Sequence, residues 1–129
     1  MIDHLDHIVL TTRDLEGCVR FYRDVLGMKL ESFQTPSEKR QALKFGNQKI
    51  NIHEWGREFT PRAHVAAPGT LDLCFIASVP LDEVVAKLKA SGVAIIEGPV
   101  MKTGATGPIR SVYVRDPDLN LVEISVPAA

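Results

Sequence analysis

The chain has 129 residues, 45% apolar and 24% charged, which suits one domain with a continuous core and no need of disulfides or a structural metal. Its formal net charge of −1 and pI near 6.4 leave no positive field to gather phosphates, which argues against a nucleic-acid partner. There is no apolar run of about eighteen residues and no basic-then-apolar leader, so no membrane partner is expected and a cytoplasmic location is.

His7-Ile8-Val9-Leu10-Thr11-Thr12 is apolar and rich in β-branched residues, which predicts a mostly buried strand. A helix follows. Asp14 suits its N-cap, Leu15, Cys18, Val19, Tyr22, Val25 and Leu26 recur at helical spacing, and Gly27 suits its end. Strands are predicted over residues 28–34, 41–45 and 49–54, with Gly46-Asn47 as a turn.

The second half repeats this order. Residues 70–77 predict a strand, and Leu81, Val84, Val85 and Leu88 form one helical stripe between Pro80 and Gly92. Further strands are predicted over 93–97, 110–114 and 121–126, the last two separated by Asp116-Pro117-Asp118. Superposing His7 on Asp72 brings Gly27 onto Gly92. The expected architecture is α+β, two βαβββ modules over about 4–56 and 70–127, joined by a linker over about 57–69. Residues 98–110 hold Gly98, Pro99, Gly104, Gly107 and Pro108 and are expected to form an irregular flap. Cys18 and Cys74 have neither CxxC spacing nor a cluster of zinc ligands nearby, and are expected as buried free thiols. His4 and His64 have no patterned partner and are expected on the surface.

Side chains alternate across a strand, so polar residues of one parity share a face. That face holds His7 on the first strand, Asn51 and His53 on the strand closing the first module, Asp72 opening the second, and Glu123 on the last. Taken singly, each is an ordinary polar group on an open sheet face. Taken together, Asp72 and Glu123 are carboxylates on strand interiors that need water, a hydrogen-bond partner or a cation. A divalent ion would satisfy both, with imidazole as a nitrogen ligand.

The opening DHIVLTTRDLEGCVRFYRDVLGMKL and the closing YVRDPDLNLVEIS resemble the vicinal oxygen chelate superfamily, which holds glyoxalases, fosfomycin-resistance enzymes, extradiol dioxygenases and bleomycin-resistance proteins. KINIHEWG and GPVMKTGATGPIR are similar to its small glyoxalase-domain members. The resemblance implies paired βαβββ modules forming a cup-shaped, incomplete barrel around a divalent metal, and commonly a homodimer. Carried over by position, His7 and Glu123 match metal ligands, and Glu123 is the catalytic base. Asp72 stands where a histidine ligand is expected, and Asn51 where a glutamate or glutamine is. These departures shift the set toward oxygen ligands, so manganese, iron, magnesium or nickel is expected rather than zinc. His53 is either a further metal ligand or, with Asn51, Trp55, Arg110 and Tyr113, a substrate-binding group. The implied function is a glyoxalase-type lyase or isomerase acting on a small oxygenated substrate. Its alternatives are a metal-free drug- or metabolite-binding protein and an extradiol-type dioxygenase.

Overall fold

A computed structural model describes residues 1–128. The chain divides into two compact units between Thr70 and Leu71, each of which runs strand, helix, strand, strand, strand. The fold is mixed α+β, with two four-stranded sheets.

In the first module β1 (His7–Thr12) leads to α1 (Leu15–Val19), which continues as a π-helix over Arg20–Val25. Then come β2 (Lys29–Gln34), β3 (Lys39–Phe45) and β4 (Gln48–Glu54). The sheet order is β1-β4-β3-β2, with β1 parallel to β4 and the other pairs antiparallel. Asp14 caps α1 by accepting the Gly17 N–H at 3.0 Å. The sequence predicts the helix but not its widened turn, in which the Leu26 N–H reaches the Phe21 carbonyl. The adjacent Phe21 and Tyr22 are both buried there, packed edge to face at 4.9 Å. They share the core with Leu10, Leu43, Ile50 and Ile52.

The second module comprises β5 (Asp72–Ile76), α2 (Leu81–Ala90), β6 (Glu97–Gly104), β7 (Gly107–Arg115) and β8 (Leu121–Pro127). The order is β5-β8-β7-β6, again with the first and last strands parallel. Leu81, Val84 and Leu88 of α2 are buried, as are Val112 and Val114 of β7 and Val122 and Ile124 of β8. The helix packs on β7 and β8.

Two expectations are corrected here. The strand predicted over 93–97 begins only at Glu97, and the expected flap is a β-hairpin of β6 and β7, closed by Ala105 and Thr106 between the paired Gly104 and Gly107. Of the glycines and prolines that read as breakers, Gly98 and Pro99 are accommodated by a register shift between Glu97 and Val100, while Gly104, Gly107 and Pro108 pair at the hairpin end. Gly98, at φ 102°, passes so close to β7 that a Cβ would lie 2.4 Å from the Ser111 carbonyl oxygen, so only glycine fits. Among the described residues, no helix is long and apolar enough to cross a membrane.

The turn into β8 carries a strained residue. Leu119 sits at φ 68° and is 67% exposed, a left-handed conformation that costs a side-chain-bearing residue about 1–2 kcal/mol. Leu119→Gly is expected to stabilise the chain by roughly 0.5–1 kcal/mol, once the extra freedom of glycine in the unfolded state is counted. Urea unfolding should show this as a higher midpoint with an unchanged slope; a lower midpoint would refute the strain.

Candidate functional site

Each sheet leaves one face to polar side chains, and the two faces are built differently. In the second module Glu123 on β8 lies in register with Cys74 on β5 and Tyr113 on β7, while Ser125 lies opposite Ser111. The Ser111 hydroxyl donates to Glu123 Oε2 at 2.6 Å, and the Ser111 and Ser125 hydroxyls are 2.7 Å apart. Both serines are fully buried. A short hydroxyl-to-carboxylate bond of this kind is charge-assisted; it compensates the carboxylate for lost water and fixes its plane. The serine bonds end on Oε2, leaving Oε1 outside their network.

Tyr113 stands beside the same carboxylate. Burial, followed by the charge of Glu123, pushes its phenol up to about 12, so at neutral pH it keeps its proton and acts as a donor. Cys74 is exposed, which corrects the expectation that both thiols are buried; Cys18 is buried, and neither forms a disulfide among the described residues. The alternation that leaves Leu73 and Phe75 half-buried turns Cys74 outward, its sulfur 3.4 Å from the Ser125 hydroxyl. Desolvation pushes this thiol up against the lowering effect of Ser125, so it stays protonated and a weak nucleophile. Asp72 is exposed on the Cys74 side of β5, in register with Leu121. Arg110 is exposed and pairs with Val126, and alternation puts it on the face opposite Tyr113 and Glu123.

In the first module His7 directs Nδ1 to the Asp6 carboxylate at 2.7 Å. A carboxylate on Nδ1 holds the proton there and leaves Nε2 as the basic nitrogen, the arrangement that orients histidine ligands in metal sites. The contact also lowers the Asp6 carboxyl below its usual range. His7, Lys49, Lys44 and Lys29 lie in register across all four strands, a basic row on one face.

Further along that face, Asn51 is half-buried and His53 is only 9% exposed. Burial, and then the Arg40 guanidinium, hold His53 below the ordinary histidine value, against a raising effect of Glu58. Its ring meets Phe59 edge to face at 5.0 Å, and Arg40 lies 3.9 Å over the same phenyl ring. Trp55, just beyond β4, is exposed and has the Arg13 guanidinium 5.6 Å from its ring centre. His4 and His64 are exposed.

The sequence reading missed Arg40, Phe59, Ser111 and Ser125. Parity with Glu123 marks Ser125 and parity with Tyr113 marks Ser111, but nothing in one sequence says that their hydroxyls would converge. Arg40 precedes the predicted start of its strand, and Phe59 lies in the stretch read as linker. Among the described residues, no three of His, Cys, Asp and Glu are gathered into a group that could hold a metal.

The chain matches the model of the Glyoxalase/Bleomycin resistance protein/Dioxygenase superfamily over residues 4–124. It is 50% identical over 125 residues to virulence protein STM3117 of Salmonella typhimurium, covering 97% of this chain and 85% of that one. The crystal structure of that protein superposes with a TM-score of 0.94, covering 99% of both chains. The chain is also 47% identical to the glyoxalase domain-containing protein RDO1 of Mycosarcoma maydis, over 94% of its own length and 66% of that protein's. At 25% identity and a TM-score of 0.66 it resembles the fosfomycin resistance protein FosX of Listeria monocytogenes, crystallised with Mn(II) and 1S,2S-dihydroxypropylphosphonic acid; the match covers 99% of this chain and 93% of that one.

Proposed function

Because this chain belongs to the Glyoxalase/Bleomycin resistance protein/Dioxygenase superfamily, we propose that it is a divalent-metal-dependent enzyme of glyoxalase type, a lyase or isomerase for a small oxygenated substrate. The observation that supports this most is a pair of pre-oriented ligands. His7 has Nδ1 engaged by Asp6, and Glu123 has Oε2 held by Ser111. Both arrangements fit a metal, since each leaves one donor atom outside the bonds that orient the side chain.

In this reading the first module would offer His7 through Nε2 as a metal ligand and the second Glu123 and Asp72, while Asn51, His53, Trp55 and Tyr113 would serve the substrate. Manganese leads, with iron, magnesium and nickel behind it. FosX, of the same fold, binds Mn(II), and a carboxylate at position 72 favours ions that accept oxygen ligands. When bound, the ion supplies Lewis acidity to adjacent oxygens of the substrate.

The remaining chemistry belongs to the chain. Glu123 would act as the base, taking up the substrate's proton at a carboxylate oxygen. Ser111 keeps the carboxylate in one plane during that transfer, and Tyr113, which holds its proton at neutral pH, donates a hydrogen bond to the same region. The chain is proposed to work as a cytoplasmic homodimer.

The test is the metal content of protein purified without chelator, followed by titration of the stripped protein with Mn(II). We expect stoichiometric metal, and a gain in unfolding free energy approaching about 2.7 kcal/mol at a hundredfold excess over Kd. Protein that carries no metal and does not gain thermal stability from any of the four ions would end this reading.

A further inference from the structure

Three buried side-chain atoms of the first module have no hydrogen-bond partner: Nε of Arg40, Oδ1 of Asn51 and Nδ1 of His53. A buried polar atom left unpaired costs about 1–3 kcal/mol, so three on one small area of sheet mark a surface built to receive something. They share a face. Asn51 and His53 alternate along β4, about 7 Å apart. Asn51 pairs with Ala42, two positions along β3 from Arg40. Phe59 joins the group, its ring nearly perpendicular to that of His53 and its face under the Arg40 guanidinium. Arg40 and Phe59 also reach the edge of a cavity of about 270 Å³, whose walls at Leu15, Gln41 and Ile52 belong to the opposite face of the sheet.

The unpaired atoms specify their complement. Arginine Nε–H only donates, an amide oxygen only accepts, and a neutral imidazole nitrogen can do either. Water could fill any of these roles, but Arg40 and the row of Lys49, Lys44 and Lys29 on the same face favour an anion, the nearby Glu58 being paired with Arg62, and Phe59 gives an apolar body a surface to lie against. We propose that this is a subsite for a hydroxylated carboxylate, whose carboxylate accepts from Arg40 Nε and whose hydroxyl donates to Asn51 Oδ1. His53 lies between these two demands and hydrogen-bonds the same ligand through Nδ1. The inference rests on the reading that this face takes the substrate, and it adds the substrate's chemical class.

Mandelate is the probe, with phenylacetate lacking the hydroxyl and benzyl alcohol lacking the anion. Each is titrated into chelator-treated protein while the ¹⁵N resonances of the His53 ring and the Arg40 Nε are followed. Mandelate should shift both resonances and bind at least about tenfold tighter than either analogue, the range that one matched or mismatched hydrogen bond produces. Arg40→Met keeps the stem against Phe59 and removes the donor; it should weaken mandelate at least about tenfold while leaving benzyl alcohol unchanged. If that variant melts well below the parent, Asn51→Ser serves instead and should abolish the preference for mandelate over phenylacetate. Equal affinities for mandelate and phenylacetate, unmoved resonances, or mandelate binding untouched by whichever variant folds would each overturn the proposal. Because no metal is present, binding of mandelate by a chain that proves unable to hold metal would sink the enzyme reading and leave this subsite standing.

Discussion

Asp116→Ala is expected to destabilise the chain by about 3–5 kcal/mol, a large share of the total stability of a domain this size. The side chain is 3% exposed. Its Oδ1 accepts from the backbone N–H of Asp118 and of Asn120, both at 2.9 Å, and its Oδ2 from the Asn120 side-chain amide at 2.7 Å. Asn120 in turn accepts the Leu71 N–H at 2.9 Å, tying the entry of β8 to the residue before β5. Alanine would leave three buried donors without an acceptor, each costing about 1–3 kcal/mol before water enters and relaxes the loop. Asp116→Asn separates charge from geometry: it keeps an acceptor for the two backbone donors but sets its amide against that of Asn120, and should lie between the other two proteins. Urea unfolding measures this. A loss below about 1 kcal/mol for Asp116→Ala would mean that water replaces the whole network.

Glu123→Ala should abolish both bound metal and turnover, with metal affinity falling by more than about a hundredfold, beyond the loss usual for removing only an orienting partner. Glu123→Gln is the more telling variant. It retains an oxygen for the Ser111 bond but removes the charge, so the fold should survive intact while metal content drops. Elemental analysis beside thermal melting reads both quantities. Normal metal in Glu123→Ala would show that the glutamate is not a ligand, and the burial of Ser111 and Ser125 would then need another explanation.

The legible parts of this protein were those written as periodicity. Both helices, their glycine stops, and the opposition of Ile50 and Ile52 to Asn51 and His53 follow from spacings of 3.6 and 2, and the buried Ile50 and Ile52 bear the parity out. The β6–β7 hairpin was illegible because glycine and proline mark both loops and bulges, and only the approach of Gly98 to the Ser111 carbonyl separates the two cases. For the site, parity put Glu123 and Ser125 on one face, but the 2.6 Å bond from Ser111 depends on strand register, which no single segment encodes. Arg40 and Phe59 were out of reach for the same reason: they meet through tertiary packing, from strand and linker, with no shared pattern.

The parallel pairing of β1 with β4, and of β5 with β8, has a bearing on synthesis at the ribosome. The strand that completes each sheet is the last of its module to be made, and it slots between the first strand and the third. Until it arrives, β1 waits as an unpaired edge, exposed to aggregation. Once Glu54 has emerged, all four strands of the first sheet are available to pair, before any strand of the second exists to compete for them. A chain written as two self-closing units thus limits the span over which a nascent strand can find the wrong neighbour.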